Sequence, residues 1–176
     1  MHDRVVLVDT KDNEIALMDK MEAHKKGLLH RAFSVLIFNS ENKFLIQRRA
    51  ATKYHSAGLW SNTCCSHPSA NETILEASHR RLKEEMGLTC EKLKKLYHFI
   101  YKIEFENGLS EHELDHVVVG HSNQEPILNP KEASEWKYIS YEDLKKEISE
   151  NPDQYTFWFK ELFEKAYRLI IKGSLQ

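Results

Sequence analysis

Cys65-Ser66-His67-Pro68, followed after a polar turn by Arg80-Arg81-Leu82-Lys83-Glu84-Glu85-Met86-Gly87, is the stretch on which the reading of this 176-residue chain turns. Ser69-Ala70-Asn71-Glu72 has the spacing of a capping box, and Gly87 accepts a left-handed backbone at little cost, so the pattern predicts a helix over about 69–87. Arg80 and Arg81 stand four residues before Glu84 and Glu85, which puts each acid one turn beyond a base on the same side of that helix. Taken alone, such pairs read as a solvated helix face, each worth only about 0.3–0.5 kcal/mol.

The flanking chain is rich in strand patterns. Arg4 to Val8 and Glu14 to Met18 predict a hairpin around Lys11-Asp12-Asn13, and Lys20 to Lys26 allows a helical turn or two before Gly27. Ala32-Phe33-Ser34-Val35-Leu36-Ile37-Phe38 is an apolar run typical of a central strand buried on both faces. Phe44 to Gln47 returns as its partner and ends in Arg48-Arg49, before a loop that carries Lys53, Gly58 and Trp60. Beyond the helix, Leu96 to Ile103, Glu111 to Val119 and Trp136 to Ile139 read as strands, Ser140 caps a helix to about Ser149, and Thr156 to Ile171 has helical periodicity. The sum is an α/β (α+β) fold: an α/β/α sandwich with a mixed sheet flanked by helices, as one domain over residues 1–176.

Composition narrows the function. With 41% apolar and 30% charged residues the chain is an ordinary globular protein, and a net charge of −2 without a basic run argues against nucleic acid as a partner. No apolar leader or membrane-length run is present, so the expectation is a cytoplasmic protein with no membrane partner. Three cysteines, two of them adjacent, make a poor disulfide framework and leave room for a free, functional thiol. Ten histidines include His24 and His30, just before the central strand, and His67 in the Cys-x-His-Pro stretch. Glu111 and Glu113 are two apart on a strand, hence on one face, where both carboxylates can converge on a cation. Mixed imidazole and carboxylate ligation suits a divalent transition metal such as Mn, Fe or Zn, although the spacing matches no standard zinc pattern.

Glu72, Arg80, Leu82, Glu84, Glu85, Gly87 and Leu88 fit the pattern Gly-x5-Glu-x7-Arg-Glu-aliphatic-x-Glu-Glu-x-Gly-aliphatic of the Nudix family. Ser66 stands where that pattern opens with glycine, and Arg81 where it has the glutamate of its Arg-Glu pair. With Thr63 to Pro68, Gln47-Arg48-Arg49-Ala50, Gly58 to Asn62, Glu111-His112-Glu113 and Trp158 also in order, the chain resembles over nearly its whole length the type I isopentenyl-diphosphate isomerases, a Nudix-fold family. Both departures are expected of isomerases that keep the Nudix scaffold without hydrolysing the diphosphate.

The resemblance implies an enzyme that interconverts isopentenyl and dimethylallyl diphosphate in isoprenoid biosynthesis, protonating the alkene and deprotonating a tertiary carbocation. It gives Cys65 the proton at C2, as a thiolate favoured by cations such as Arg81, and gives Glu113 the proton at the terminal methylene. Cys64 is the rival nucleophile. On extended backbone the two thiols face opposite ways, and the register to His67 selects Cys65; Cys90 reads as an inert buried thiol. By resemblance Tyr101 hydrogen-bonds to the Glu113 carboxylate or relays its proton, and Trp158 offers a π face to the cation, with Trp60 a further candidate wall. His24, His30, His67, Glu111 and Glu113 would hold Mn²⁺ or Zn²⁺. Lys20, Arg49, Lys53 and Arg81 would bind the diphosphate, whose Mg²⁺ would be held by Glu85 and the backbone carbonyl of Cys65. The expected partner is this small molecule, to a monomer or weak homodimer. A Nudix hydrolase using Glu84 and Glu85, or a diphosphate-binding module without turnover, are the competing readings.

Overall fold

The computed structural model describes residues 3–174, and among them nine strands and four α-helices form the sandwich that the pattern predicts. Its axis is β3 (His30–Phe38), whose apolar run is buried because both edges and both faces are covered. On one edge β8 (Ser110–His121) runs parallel to it over its full length, from His30↔Glu113 to Phe38↔His121, with β7 (Lys94–Glu104) antiparallel beyond. The other edge is shared in succession by β1 (Arg4–Val8), by β6 (Cys64–Ser66) and by β4 (Phe44–Arg49). The sheet is completed by β2 (Glu14–Asp19) beside β1, and by β5 (Trp60–Ser61) and β9 (Ala133–Ile139) on either side of β4.

Strand alternation sorts the core into two layers. Phe33, Val35, Ile37 and Leu45 pack with Leu82 and Met86 of α2 (Ile74–Met86), while Leu36, Phe38, Val117 and Val119 pack with Trp158, Phe159 and Leu162 of α4 (Phe157–Ser174). The short α1 (Lys20–Lys26) closes one end of the sheet, and α3 (Tyr141–Glu150), capped by Ser140, adds Leu144 to the α4 layer. None of these helices is long and apolar enough to cross a membrane.

The sequence pattern does not reveal how β3 and β4 separate. They pair only at Ile37↔Leu45 and Phe38↔Phe44; beyond that β4, paired with β9 along its whole length, diverges from β3 and leaves backbone groups on the facing edges without ladder partners. Side chains fill the fork. The Thr63 hydroxyl donates to the Leu45 carbonyl (2.6 Å) and accepts from the Ile37 amide (2.9 Å), while the Asn62 amide donates to the carbonyls of Val35 (3.1 Å) and Cys64 (2.8 Å). This satisfies buried polar groups that would otherwise cost about 1–3 kcal/mol each, and it wedges the Cys64-Cys65 strand against β3.

The α2 helix begins later than its sequence suggests. Its N-cap is Thr73, whose hydroxyl accepts from the Glu76 amide while the Glu76 carboxylate accepts from the Thr73 amide. Ser69 and Glu72 do form a local bond, Ser69 N–H to Glu72 Oε2 at 2.8 Å, but Asn71 is left-handed (φ 62°), so this is a turn before the helix. The C-terminus is as expected: Gly87 lies at φ 62°, its amide reaching the Lys83 carbonyl. The loop at 127–129 then docks on the helix end, with the Ile127 and Asn129 amides donating to the carbonyls of Met86 and Glu85. A Cβ at Gly87 would come within 2.6 Å of the Ile127 carbonyl oxygen. Gly87→Ala is therefore expected to destabilise the fold by about 2–4 kcal/mol, read as a lower urea midpoint at unchanged slope, since backbone strain and a backbone clash add.

Candidate active site

Along β3 and β8 the side chains facing α4 are apolar at one end and polar at the other. His30 pairs in register with Glu113, which is flanked on its own strand by Glu111 and Asp115, while Tyr101 of β7 lies opposite Glu113. The α4 helix covers the apolar end, and the polar end opens into a cavity with an empty volume of about 440 Å³. Cys65, His67, Arg49 and Glu85 border it, together with Lys20, Lys53, Arg81 and Trp158.

The two adjacent cysteines divide as strand alternation requires. Cys64 is fully buried in the α2-side core, and Cys65, opposite Ser34, faces the cavity. Burial pushes the Cys65 thiol up to about 12, and the largest opposing charge is Arg49. Among the nearby cations, Arg49 rather than Arg81 is the one that most favours the thiolate. Arg81 is turned to Glu84 (2.7 Å), Glu85 (2.7 Å) and Glu132 (3.0 Å).

Four of the five sequence-predicted metal ligands meet although they come from four separate parts of the chain. One potential ligand atom each of His24, His30, His67 and Glu113 lies within 4.8 Å of all the others. His24 Nε2 is 3.3 Å from His30 Nε2, and Glu113 Oε1 is 2.9 Å from His67 Nε2 and 3.5 Å from His30 Nε2. Such separations suit atoms that share an ion at about 2.0–2.2 Å. The second-layer bonds agree: the Leu28 carbonyl accepts from His30 Nδ1 (2.8 Å), which leaves Nε2 free to ligate. Burial holds the His24 imidazole neutral, down to about 3, and drives His67 well below the usual value; neutral imidazole is the ligating form. The donor set therefore fits a divalent ion. Glu111 stands at its margin, with Oε1 4.0 Å from His24 Nε2.

Glu113 also accepts from the Tyr101 hydroxyl at 2.7 Å, and the same hydroxyl is 3.2 Å from Glu111 Oε2. Burial opposes the Glu113 charge, but His30 above all, with help from hydrogen bonds to Glu111 and Tyr101, holds its pKa below the usual carboxylate range. Tyr101 is pushed far up by burial and by Glu113, so it remains a donor. Asp115, which the sequence reading does not single out, is a buried carboxylic acid raised by burial and by Glu113, accepting from Ser34 Oγ at 2.7 Å.

Four cations border the same cavity. Lys53 is held by Glu132 (2.6 Å), Lys20 by Asp3 (3.3 Å) with its ammonium over the Tyr54 ring, and the Arg49 guanidinium lies 5.4 Å from the centre of the Trp158 ring. Trp158 is fixed by its indole N–H, which donates to Ser61 Oγ (3.1 Å) and Asn62 Oδ1 (3.2 Å). Glu85 is 5% exposed and accepts from the Gln47 amide at 3.0 Å. Arg80 grips Glu72 through two bonds of 2.7 and 2.8 Å, an arrangement that braces the helix against the turn before it. The expectation that Trp60 walls the pocket is not met: it does not border the cavity, and Lys137 stacks over it instead. Tyr54, His55 and Glu132 do border this region although the pattern did not pick them out; each sits in a loop without periodicity, and only the count of histidines pointed to His55.

The NUDIX domain family matches residues 28–159. The chain is 51% identical to "Isopentenyl-diphosphate Delta-isomerase 2" of Aromatoleum aromaticum, over 90% of this chain and 83% of that protein. It is 50% identical to "Isopentenyl-diphosphate Delta-isomerase" of Pectobacterium atrosepticum, over 90% and 88% of the two chains. The crystal structure of DR0079 from Deinococcus radiodurans shares the fold, with a TM-score of 0.70 at 20% identity over 85% of this chain and 90% of that one.

Proposed function

The chain belongs to the NUDIX domain family and, within it, to the isopentenyl-diphosphate Delta-isomerases, which interconvert isopentenyl and dimethylallyl diphosphate in isoprenoid biosynthesis, and on that premise we propose which side chains do the work. Cys65 and Glu113 carry the two protons. The observation that supports this assignment is their place in one cavity that Lys20, Arg49, Lys53, Arg81 and the indole of Trp158 also border.

The diphosphate is anchored by Lys20, Arg49, Lys53 and Arg81, which fixes the hydrocarbon end relative to the two proton carriers. Mg²⁺ accompanies the diphosphate, held by Glu85 and the Cys65 backbone carbonyl, and a second ion, Mn²⁺ or Zn²⁺, is held by His24, His30, His67, Glu111 and Glu113. When bound, these ions neutralise phosphate charge and sharpen the acidity of a carboxyl group.

Proton bookkeeping then follows from the resting forms. From dimethylallyl to isopentenyl diphosphate, the Cys65 thiol gives its proton to C2 and the Glu113 carboxylate takes one from a methyl group. The reverse direction starts with protonated Glu113, which adds a proton to the methylene, and ends with C2 losing one to the Cys65 thiolate. The two starting forms differ only in which residue holds the proton. Tyr101 keeps the Glu113 carboxyl pointed at the substrate, and the Trp158 face, already opposite a guanidinium, stabilises the tertiary cation without attacking it. Water is excluded by the packed wall of α4, where Trp158 is 3% exposed.

A proton NMR time course with isopentenyl diphosphate, Mg²⁺ and Mn²⁺ in D₂O tests this. Dimethylallyl diphosphate carrying solvent deuterium, without free phosphate, is the expected result; phosphate release would point to hydrolysis instead. Arg81→Glu is expected to raise KM at least about tenfold with a smaller change in kcat, because a cation on the diphosphate becomes a like charge. An unchanged KM in initial-rate measurements would remove Arg81 from the diphosphate site.

A further inference from the structure

Glu111 and Glu113 face the same cavity but are held differently. Glu113 is gripped within the imidazole cluster and by Tyr101. Glu111 is less tied to the cluster: Oε2 has Tyr101, and Oε1 reaches His24 only at 4.0 Å. It also meets the Glu113 carboxyl and His55, whose Nε2 lies directly against Oε1. His55 is 7% exposed and does not belong to the group whose ligand atoms converge.

The His55 ring is built in place from several sides. It stacks on Phe105 with ring centres 4.7 Å apart and planes at 12°, and it meets Tyr54 and Trp158 edge-on at 4.5 and 5.9 Å. Nδ1 lies 3.2 Å from the Ser56 hydroxyl, and with that hydroxyl as donor the ring proton is left on Nε2, a buried nitrogen that lies against Glu111 Oε1 but makes no aligned hydrogen bond. The loop is anchored at both neighbouring carbonyls: the Asn107 amide donates to that of Tyr54 and the Arg49 guanidinium to that of His55, each at 3.2 Å. Ser56 (φ 50°) and Gly58 (φ 72°) turn the chain in the left-handed region to close it.

Resting on the reading of His24, His30, His67, Glu111 and Glu113 as a divalent-metal set, we propose that His55 is its outer positioning residue: a loop imidazole that aims Glu111 at the set. A glutamate has three rotatable bonds, and a fixed imidazole packed against its oxygen removes freedom that an unaided carboxylate would lose on ligation, its N–H aligning with the carboxylate when the ion binds. The same ring touches Trp158, so the loop carrying the diphosphate ligand Lys53 also joins the metal carboxylate to the pocket wall.

The test is metal titration of chelator-stripped protein, following free Mn²⁺ by electron paramagnetic resonance and Zn²⁺ by competition with a chromogenic chelator. His55→Phe keeps the ring stack and removes the donor, and is expected to weaken metal binding about 10–100-fold. His55→Gln, which presents an amide N–H near the Nε2 position, is expected to stay within about threefold of wild type. Substrate KM at saturating metal should move less than about twofold in both, because neither change touches a diphosphate cation. Wild-type affinity in His55→Phe, or equal weakening in the two variants with folding intact by circular dichroism, would overturn the inference. A wild-type protein that takes up neither ion would overturn the metal reading itself, and this inference with it.

Discussion

Replacing Cys65 by serine is expected to cut isomerisation at least about 10³-fold while the diphosphate still binds, the size of loss seen when a positioned proton carrier is removed. A serine hydroxyl fills nearly the same space, so the cavity and its cations stay in place. Its proton is held much more tightly than that of a thiol, and the Cys65 thiol is itself already raised to about 12 by burial. Losing a proton from C2 to an alkoxide is then out of reach near neutral pH. Cys64→Ser is the control. Cys64 sits among Phe33, Val35 and Leu82 on the other face of the sheet, so a hydroxyl there should cost stability, about 1–3 kcal/mol, and leave kcat within about threefold. NMR turnover assays and inhibition by inorganic pyrophosphate separate the two effects, and equal loss of turnover in both variants would undo the assignment of faces.

Glu113→Gln is expected to have the larger effect, at least about 10⁴-fold in kcat, because one side chain serves both as proton carrier and as member of the imidazole set. An amide can neither take the methyl proton nor return it. It would also place either an N–H or a neutral oxygen against His67 Nε2, where the carboxylate oxygen now lies 2.9 Å away. Excess Mn²⁺ or Zn²⁺ distinguishes the roles: turnover should stay lost even when metal binding is restored. Recovery of turnover by added metal would leave Glu113 as a ligand alone. Tyr101→Phe should be milder, about 10–100-fold, since the carboxylate keeps its imidazole partners and loses one hydrogen bond at 2.7 Å.

Much of this site is legible along the chain because its chemistry is carried by short motifs. Glu111 and Glu113 lie two apart on β8, where strand alternation alone puts both on one face, and Cys65 and His67 belong to one four-residue motif. The same rule separates Cys64 from Cys65, and the structure follows it. Gly87 announces its left-handed cap, whereas the true N-cap at Thr73 was hidden behind a second, equally plausible capping box at Ser69. Trp60 was misjudged for a related reason: proximity in sequence to the motif does not say which side of a two-residue strand its indole takes.

Periodicity and capping depend on residues a few positions apart, so the layered α/β fold and the central strand are readable along the chain, whereas the proposed proton carriers are named through the resemblance that the motifs carry. Only the tertiary structure decided the partners that lie far away in the chain. Ser34 meets Asp115 81 positions on, Lys53 meets Glu132 79 positions on, and the loop imidazole of His55 comes to rest against Glu111. It also decided that Asn62 and Thr63 close the fork between β3 and β4, and that burial raises the Cys65 thiol. Those outcomes depend on burial and on contacts across strands and loops, which exist only once the whole chain has packed and which no local pattern encodes.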